Sequence, residues 1–335
     1  MEHLLVPYLR VSEQYEHIRS IGSGSFGSVE LVKEKKTGKI FAKKNVEFRD
    51  DDPDAGKYFF REFLSLRDFQ IEGLPFLRLE GFNFPVKGHE AFIVTEYVEG
   101  SSLNLLIHNK FRGCRDIPTT KMIIIYGTAF ALKLLHRYNT AHRDLKPDNI
   151  LLKNYEPILA DFGFARQILK TNSITVTRKI GTLMYMAPEL FTENDIIPDC
   201  SVDVYAFGVM LLQIIHGKLR FNGKSPFAQE NETKFVRHIR KGGRFDMPDS
   251  DVLPENLRIM IENCWSQDPL ERWSMRKVVN KLQSSDFTLP GCDMAKYKAY
   301  IKKLNRTYKI YKSTKIKEEK ELIEKDLPET QEFPF

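Results

Sequence analysis

His142-Arg143-Asp144-Leu145-Lys146-Pro147-Asp148-Asn149 is followed, twelve residues past the Asn, by Asp161-Phe162-Gly163, which concentrates polar chemistry within twenty-two residues. An aspartate beside an arginine, a lysine two positions on, an asparagine at +5 and a second aspartate can orient a hydroxyl, neutralise a phosphate and hold divalent cations. Phosphoryl transfer to an alcohol needs this set: a carboxylate to accept the hydroxyl's proton, and oxygen ligands for Mg²⁺. Either short string alone arises often by chance. Both together at this separation do not.

Elements must position those groups, and the flanking sequence supplies them. Gly22-Ser23-Gly24-Ser25-Phe26-Gly27-Ser28-Val29 reads G-x-G-x-x-G-x-V, a string shared with dinucleotide-binding turns and plain tight hairpins. Ile18 and Ile21 before it and Val29-Glu30-Leu31-Val32 after it alternate as strands do, so it links two strands and does not open a helix. Glycines there let backbone N–H groups approach a triphosphate without interference from Cβ. Phe41-Ala42-Lys43-Lys44 follows on a further strand. Phe59, Phe60, Phe63, Leu64 and Leu66 then recur with a helical period on a segment that carries Glu62, eighteen residues past Lys44. Asp50-Asp51-Asp52-Pro53-Asp54 reads as a loop into that helix. Phe92-Ile93-Val94-Thr95 alternates and ends in a short extended linker, Glu96-Tyr97-Val98-Glu99-Gly100.

Taken together these strings resemble the eukaryotic protein kinase superfamily, from about Tyr15 to about Leu282. Later landmarks agree. Ala187-Pro188-Glu189 looks like the end of an activation segment, and Asp203-Val204-Tyr205-Ala206-Phe207-Gly208 is similar to the family's D-x-W-x-x-G helix start, with Tyr205 for Trp. Cys264-Trp265-Ser266-Gln267-Asp268-Pro269-Leu270-Glu271-Arg272 looks like its closing motif, whose Arg272 would pair with Glu189; the Trp-Ser-Gln-Asp-Pro wording resembles the tyrosine-kinase-like group. The resemblance implies an α+β, two-lobed protein-kinase fold: a small five-stranded N-lobe with one main helix, and a larger, mostly helical C-lobe. The expected divisions are an extension at 1–14, a kinase domain at 15–285 (N-lobe 15–95, hinge 96–100, C-lobe 101–285) and a tail at 286–335.

It also implies roles, with ATP and Mg²⁺ as cofactors. Asp144 would accept the substrate hydroxyl's proton, Lys146 would steady the γ-phosphate, and Asn149 and Asp161 would hold the metal. Two lysines compete for the phosphate-gripping position. Successive strand side chains point to opposite faces, so Lys44 shares a face with Ala42, which the resemblance lays against adenine. Lys44 is therefore the phosphate lysine, with Glu62 as its ion-pair partner, and Lys43 is expected to be solvated. Glu62 on an amphipathic helix would otherwise be an ordinary polar-face residue. The glycine string from Ile21 through Gly22, Ser23, Gly24, Ser25, Phe26, Gly27, Ser28 and Val29 would cover the nucleotide. By resemblance the Glu96 carbonyl and Val98 N–H would meet the adenine edge, Val29, Ala42 and Leu151 would sandwich the ring, and Ser102 would face the ribose; the apolar members alone would read as ordinary core. Lys146, and Thr182 bonded to the catalytic Asp and Lys, match the family's Ser/Thr pattern, which implies a protein serine/threonine kinase with a protein substrate. A dual-specificity kinase and a non-catalytic pseudokinase scaffold are the alternatives, the latter weakened because the lysine and both aspartates are present. Arg143 would bind a phosphate on Thr171, Ser173, Thr175 or Thr177, placed by an upstream kinase or by autophosphorylation.

Composition bounds the rest. The 335 residues are 42% hydrophobic and 29% charged, as expected of a globular chain with a large core. Cys114, Cys200, Cys264 and Cys292 show no paired spacing and read as free thiols. The start lacks a signal-peptide pattern and no apolar run is long enough for a bilayer, so a cytoplasmic, intracellular location is expected. The formal charge is +6, yet residues 296–317 alone carry +9, leaving −3 for the remainder. Tyr297, Tyr300, Ile301, Leu304, Tyr308 and Tyr311 in that stretch fall on one helical face. The expectation is a helix docked on the chain's own C-lobe; acidic membrane or nucleic acid are the other partners for a basic amphipathic helix. Residues 318–325 should extend the helix and 328–335 should be loose.

Overall fold

The computed structural model describes residues 6–24, 27–46, 55–84, 91–163, 165–167, 183–191, 199–223 and 232–325. Alternation in the first hundred residues produces the strands β1 (Tyr15–Gly24), β2 (Gly27–Glu34) and β3 (Ile40–Val46). Helix α1 (Ala55–Arg67), β4 (Leu79–Asn83) and β5 (Ala91–Glu96) complete the N-lobe. The sheet is antiparallel in the order β1-β2-β3-β5-β4. Its register sets Gly22 opposite Val29, Val29 opposite Lys44 and Ala42 opposite Thr95. Gly27 has φ +134°, and a Cβ there would collide with the Asn45 carbonyl, so only glycine lets β2 leave the turn this close to β3. Helix α1 buries Phe59 and Phe63 against Phe82 of β4 (ring centroids 6.2 and 4.3 Å) and leaves Leu64 exposed.

One expectation fails here. Lys43 is not solvated; it is buried, with 6% of its surface exposed. Strand alternation correctly sends it to the face opposite Lys44, but that face is covered. Tyr15, Val32, Phe92 and Val94 form a second small core there, and the Lys43 ammonium lies 4.7 Å from the Phe92 ring centre and donates to Ser12 Oγ at 3.1 Å. Ser12 arrives from the N-terminal extension, which is anchored by Arg10 N donating to Phe82 O (2.9 Å) and by Tyr8 packing on Phe63. Lys43→Met keeps the apolar stem and loses the cation, so it should cost about 1–2 kcal/mol of stability with near-wild-type turnover. Denaturant unfolding checks this; unchanged stability would contradict it.

The C-lobe contains α2 (Leu103–His108), α3 (Ile117–Arg137), the short strands β6 (Thr140–Ala141), β7 (Ile150–Lys153), β8 (Glu156–Leu159) and β9 (Arg166–Gln167), then α4 (Ser201–His216), α5 (Glu232–Arg240), α6 (Glu255–Cys264), α7 (Met275–Lys281) and α8 (Met294–Lys325). Helices α3 and α4 are buried nearly all round and form the centre of the lobe. In α4, Tyr205 is fully buried with the guanidinium carbons of Arg244 and Arg272 5.3 and 5.2 Å from its ring centre, so the replacement for Trp still fills the core.

The tail is the long helix α8. Asp293 Oδ1 accepts from Ala295 N and Lys296 N at its start, while Asp293 N donates to Thr119 Oγ1 of α3 at 2.7 Å. Tyr297, Tyr300, Ile301, Leu304 and Tyr311 are buried, and Tyr297 and Tyr300 meet Tyr126 of α3 edge-on. Gly127 makes this possible, since a Cβ there would strike the Tyr300 hydroxyl and Pro157. Burying each large side chain stabilises by roughly 1.5–3 kcal/mol. The exposed Lys303–Glu156 pair (2.6 Å) adds little beside that. The apolar face therefore lies on the C-lobe, and most of the lysines point outward. Helix α8 continues through 318–325; residues 328–335 and the acidic loop at 50–54 lie outside the described residues. The four cysteines are free, and among the described residues no helix is long and apolar enough to cross a membrane.

Candidate active site

The loop after β6 is held from below by one carboxylate. Asp203, in the first turn of α4 and 1% exposed, accepts from His142 N (2.7 Å) on Oδ2 and Arg143 N (2.8 Å) on Oδ1. His136 Nε2 is also 2.9 Å from Oδ2. Burial pushes the Asp203 carboxyl up, but these hydrogen bonds and the nearby histidines outweigh it and hold its pKa below the ordinary value. Arg143 takes φ +67°, an uncommon conformation for a side-chain-bearing residue, and this turn presents Asp144 upward.

Asp144 is 5% exposed. Its Oδ2 accepts from Lys146 Nζ at 2.6 Å and Asn149 Nδ2 at 3.0 Å, and Asn149 Nδ2 also donates to the Asp144 carbonyl at 2.7 Å. A single 3-10 turn, Pro147–Asn149, brings Asn149 back to this point, and Asn149 O accepts from Ala160 N (2.9 Å). That last bond ties the loop to the strand end that leads into Asp161. Phe162 is fully buried, 5.2 Å from His142 and 6.1 Å from Phe76 between ring centroids.

Asp161, at φ +57°, faces the N-lobe. Lys44 Nζ donates to Glu62 at 2.7 and 2.9 Å and to Asp161 Oδ1 at 3.0 Å. One ammonium thus joins β3, α1 and the strand end after β8. Burial would lower the Lys44 pKa, but Glu62 and Asp161 outweigh it and raise it above the ordinary lysine value. Burial also raises the Asp161 carboxyl, yet the Lys44 charge and hydrogen bond, with His142 and Lys146 behind them, bring it below its ordinary value. The Glu62 carboxyl is raised by burial, opposed by Lys44.

Val29, Ala42 and Leu151 are each only half-buried, where ordinary core residues would be covered, and Ile21 is half-buried beside them. In the hinge Val98 is buried, while the Glu96 side chain is fixed by Lys153 (3.0 Å) and Arg78 N (3.2 Å). Ser102 bridges to Leu151, and its hydroxyl caps α2 by accepting from Leu105 N at 3.3 Å, a structural duty that its expected ribose role did not include. Of the glycine string, Gly22, Ser23 and Gly24 end β1 and Gly27, Ser28 and Val29 begin β2; Ser25 and Phe26 lie outside the described residues. So do Thr182, Thr171, Ser173, Thr175 and Thr177.

Further along, Arg272 clamps Glu189 through two bonds of 2.7 Å, with both side chains almost wholly buried. Sequence reasoning missed the clamp on the Asp144 loop: Asp203 was legible as part of a helix-start string, but its partners lie some sixty residues away, and His136 gave no signal beyond ending α3.

Comparison with known proteins agrees with this geometry. The model of the protein kinase domain matches residues 15–282. A MAP kinase kinase of Saccharomyces cerevisiae is 30% identical over 278 residues, covering 82% of this chain and 53% of its own length. The serine/threonine-protein kinase PAK 4 of Homo sapiens is 27% identical over 75% of the chain and 40% of its own length. Cyclin-dependent kinase-like 1 of Caenorhabditis elegans is 34% identical over 75% and 65%. The chain therefore spans about two fifths to two thirds of the length of these relatives. The family match runs over the strands, hinge and loops that bring Lys44, Asp144 and Asp161 together, and the chain belongs to the protein kinase domain family.

Proposed function

We propose that the chain is an ATP- and Mg²⁺-dependent protein serine/threonine kinase. The observation that carries this reading is the Lys44 ammonium bonded to both Glu62 and Asp161, while Asp144 accepts from Lys146 and Asn149. Protein kinases place these groups around the phosphates of ATP and the attacking hydroxyl. The donor set suits Mg²⁺, a hard cation that takes one or two protein oxygens and completes its shell with phosphate and water. Asp161, whose side chain is 32% exposed and whose pKa is depressed, and the Asn149 amide oxygen would hold it. When bound, the ion would neutralise charge on the phosphate oxygens.

The protein's own groups position and stabilise. Lys44, braced by Glu62, would grip the α- and β-phosphates, and the glycine string would cover them. Val29, Ala42 and Leu151 enclose the adenine, the Glu96 carbonyl and Val98 N–H read its edge, and Ser102 meets the ribose. Asp144 orients the substrate hydroxyl and takes its proton, and Lys146 steadies the phosphoryl group in flight. By resemblance to the family, the Thr182 hydroxyl would bond Asp144 and Lys146. A phosphate on Thr171, Ser173, Thr175 or Thr177, from an upstream kinase or from the chain itself, would pair with Arg143. The four free thiols suit a reducing, cytoplasmic compartment.

Lys146 and the name of the human relative support Ser/Thr acceptors. A peptide library containing Ser, Thr and Tyr acceptors tests this with the purified chain, ATP and Mg²⁺. Label should appear on Ser and Thr with Tyr near background; equal or preferred labelling of Tyr would contradict the acceptor class.

A further inference from the structure

The connection from α1 to β4 lies under the far end of α8. Tyr311, 1% exposed, stacks on Phe69 (centroids 5.9 Å apart, planes at 23°) and meets Tyr138 edge-on. Phe69 stacks on Phe76 at 4.3 Å and 17°, and Phe76 lies 6.1 Å from Phe162, the residue after Asp161. Phe69, Phe76 and Phe162 are all buried. A continuous line of rings thus runs from the tail to the metal-site loop.

A second link runs through the backbone. Leu159 N donates to Pro75 O (2.9 Å) and Leu77 N donates to Leu159 O (3.1 Å), so the same connection pairs with the end of β8, two residues before Asp161. The turn at Gly73, φ +87°, faces Thr307 of α8 so closely that a Cβ there would lie 3.3 Å from Thr307 Oγ1. The other end of α8 is fixed to α3 by Tyr297 and Tyr300. The helix therefore joins the C-lobe core to the segment that follows Glu62 on one side and supports Asp161 on the other.

We propose that α8 is a positioning element for phosphoryl transfer, in which Tyr311, through Phe69 and Phe76, holds Phe162 and Asp161 in register with Lys44. This rests on the site being the one proposed above. Packed aromatic rings suit the task because a close-packed line has few alternative arrangements and transmits displacement. Misplacing a reacting group by about 1 Å from a remote change can cost on the order of 100-fold in rate.

The test compares Tyr311→Ala, Tyr311→Phe and Tyr300→Ala in the full chain, well below their melting temperatures. Tyr311→Ala should lower kcat on the order of 10- to 100-fold, with peptide KM unchanged, and should speed amide exchange at Leu77 and Leu159. Tyr311→Phe should restore both. Tyr300→Ala, which leaves Tyr297 to hold that end of α8 on Tyr126 of α3, should lower the melting temperature and leave kcat near wild type. Wild-type kcat and exchange in Tyr311→Ala would overturn the proposal, as would equal losses of kcat in Tyr311→Ala and Tyr300→Ala, which would mark a general loss of stability. If Tyr311→Ala does not fold, Tyr311→Leu keeps apolar bulk without the flat ring; wild-type kcat and exchange there overturn it equally. A wild-type chain that transfers no phosphate would defeat the kinase reading, whereas the exchange of Leu77 and Leu159 still reads the brace by itself.

Discussion

Asp144→Asn is expected to lower kcat by about 10²- to 10⁴-fold, the usual contribution of a positioned proton acceptor, while nucleotide binding persists. Two donors, Lys146 Nζ and Asn149 Nδ2, converge on one Asp144 oxygen. The amide keeps the shape but offers a single acceptor oxygen and no basic one, and its NH₂ cannot face those donors. Lys44, Glu62 and Asp161 do not touch the changed atoms, so the phosphate grip should survive. Steady-state kcat and a nucleotide titration measure the two effects separately. Turnover within a few-fold of wild type would remove Asp144 from the proposed role.

Lys44→Met should bring phosphoryl transfer to background and also destabilise the fold. The ammonium sits between two carboxylates, and its side chain is 19% exposed against 9% for Glu62. Removing one member of so buried a set leaves uncompensated charge, at a cost of about 3–5 kcal/mol, and partial exposure places this site toward the lower end. Glu62 and Asp161 would then repel each other, and Glu62, already raised by burial, would take up a proton more readily. The pH dependence has a definite sign. Because the folded Lys44 pKa is raised, its stabilising contribution is fully present below the unfolded lysine value of about 10.4 and is lost as pH rises through the folded value. Wild type should therefore show an alkaline loss of stability from this group that Lys44→Met lacks. Denaturation midpoints across pH read it; matching alkaline profiles would contradict the assignment.

Local periodicity explains what was legible. Lys44 and Glu62 could be paired because the family resemblance implies an ion pair between that strand and the following helix, and strand alternation then selects Lys44 over Lys43. The same alternation misplaced Lys43, since it tells which face a residue takes and nothing of what covers that face. Ser12 and Tyr15 do the covering, and nothing in the sequence around Lys43 announces them. Asp203, His136 and the Asp144 loop meet through tertiary contacts between segments about sixty residues apart, and no spacing rule reports such a meeting. For the tail, spacing identified the buried face from Tyr297 to Tyr311; that Tyr311 ends on Phe69 depends on where α8 crosses α3, which only packing decides.

Turnover by the purified chain is read from the stoichiometry of its two products. The purified chain is incubated with ATP, Mg²⁺ and a Ser/Thr peptide, and ADP released and phosphopeptide formed are measured together. The two should appear in a one-to-one ratio, and both should vanish in Asp144→Asn. Saturable nucleotide binding with neither product would contradict this and make the chain a kinase-shaped scaffold.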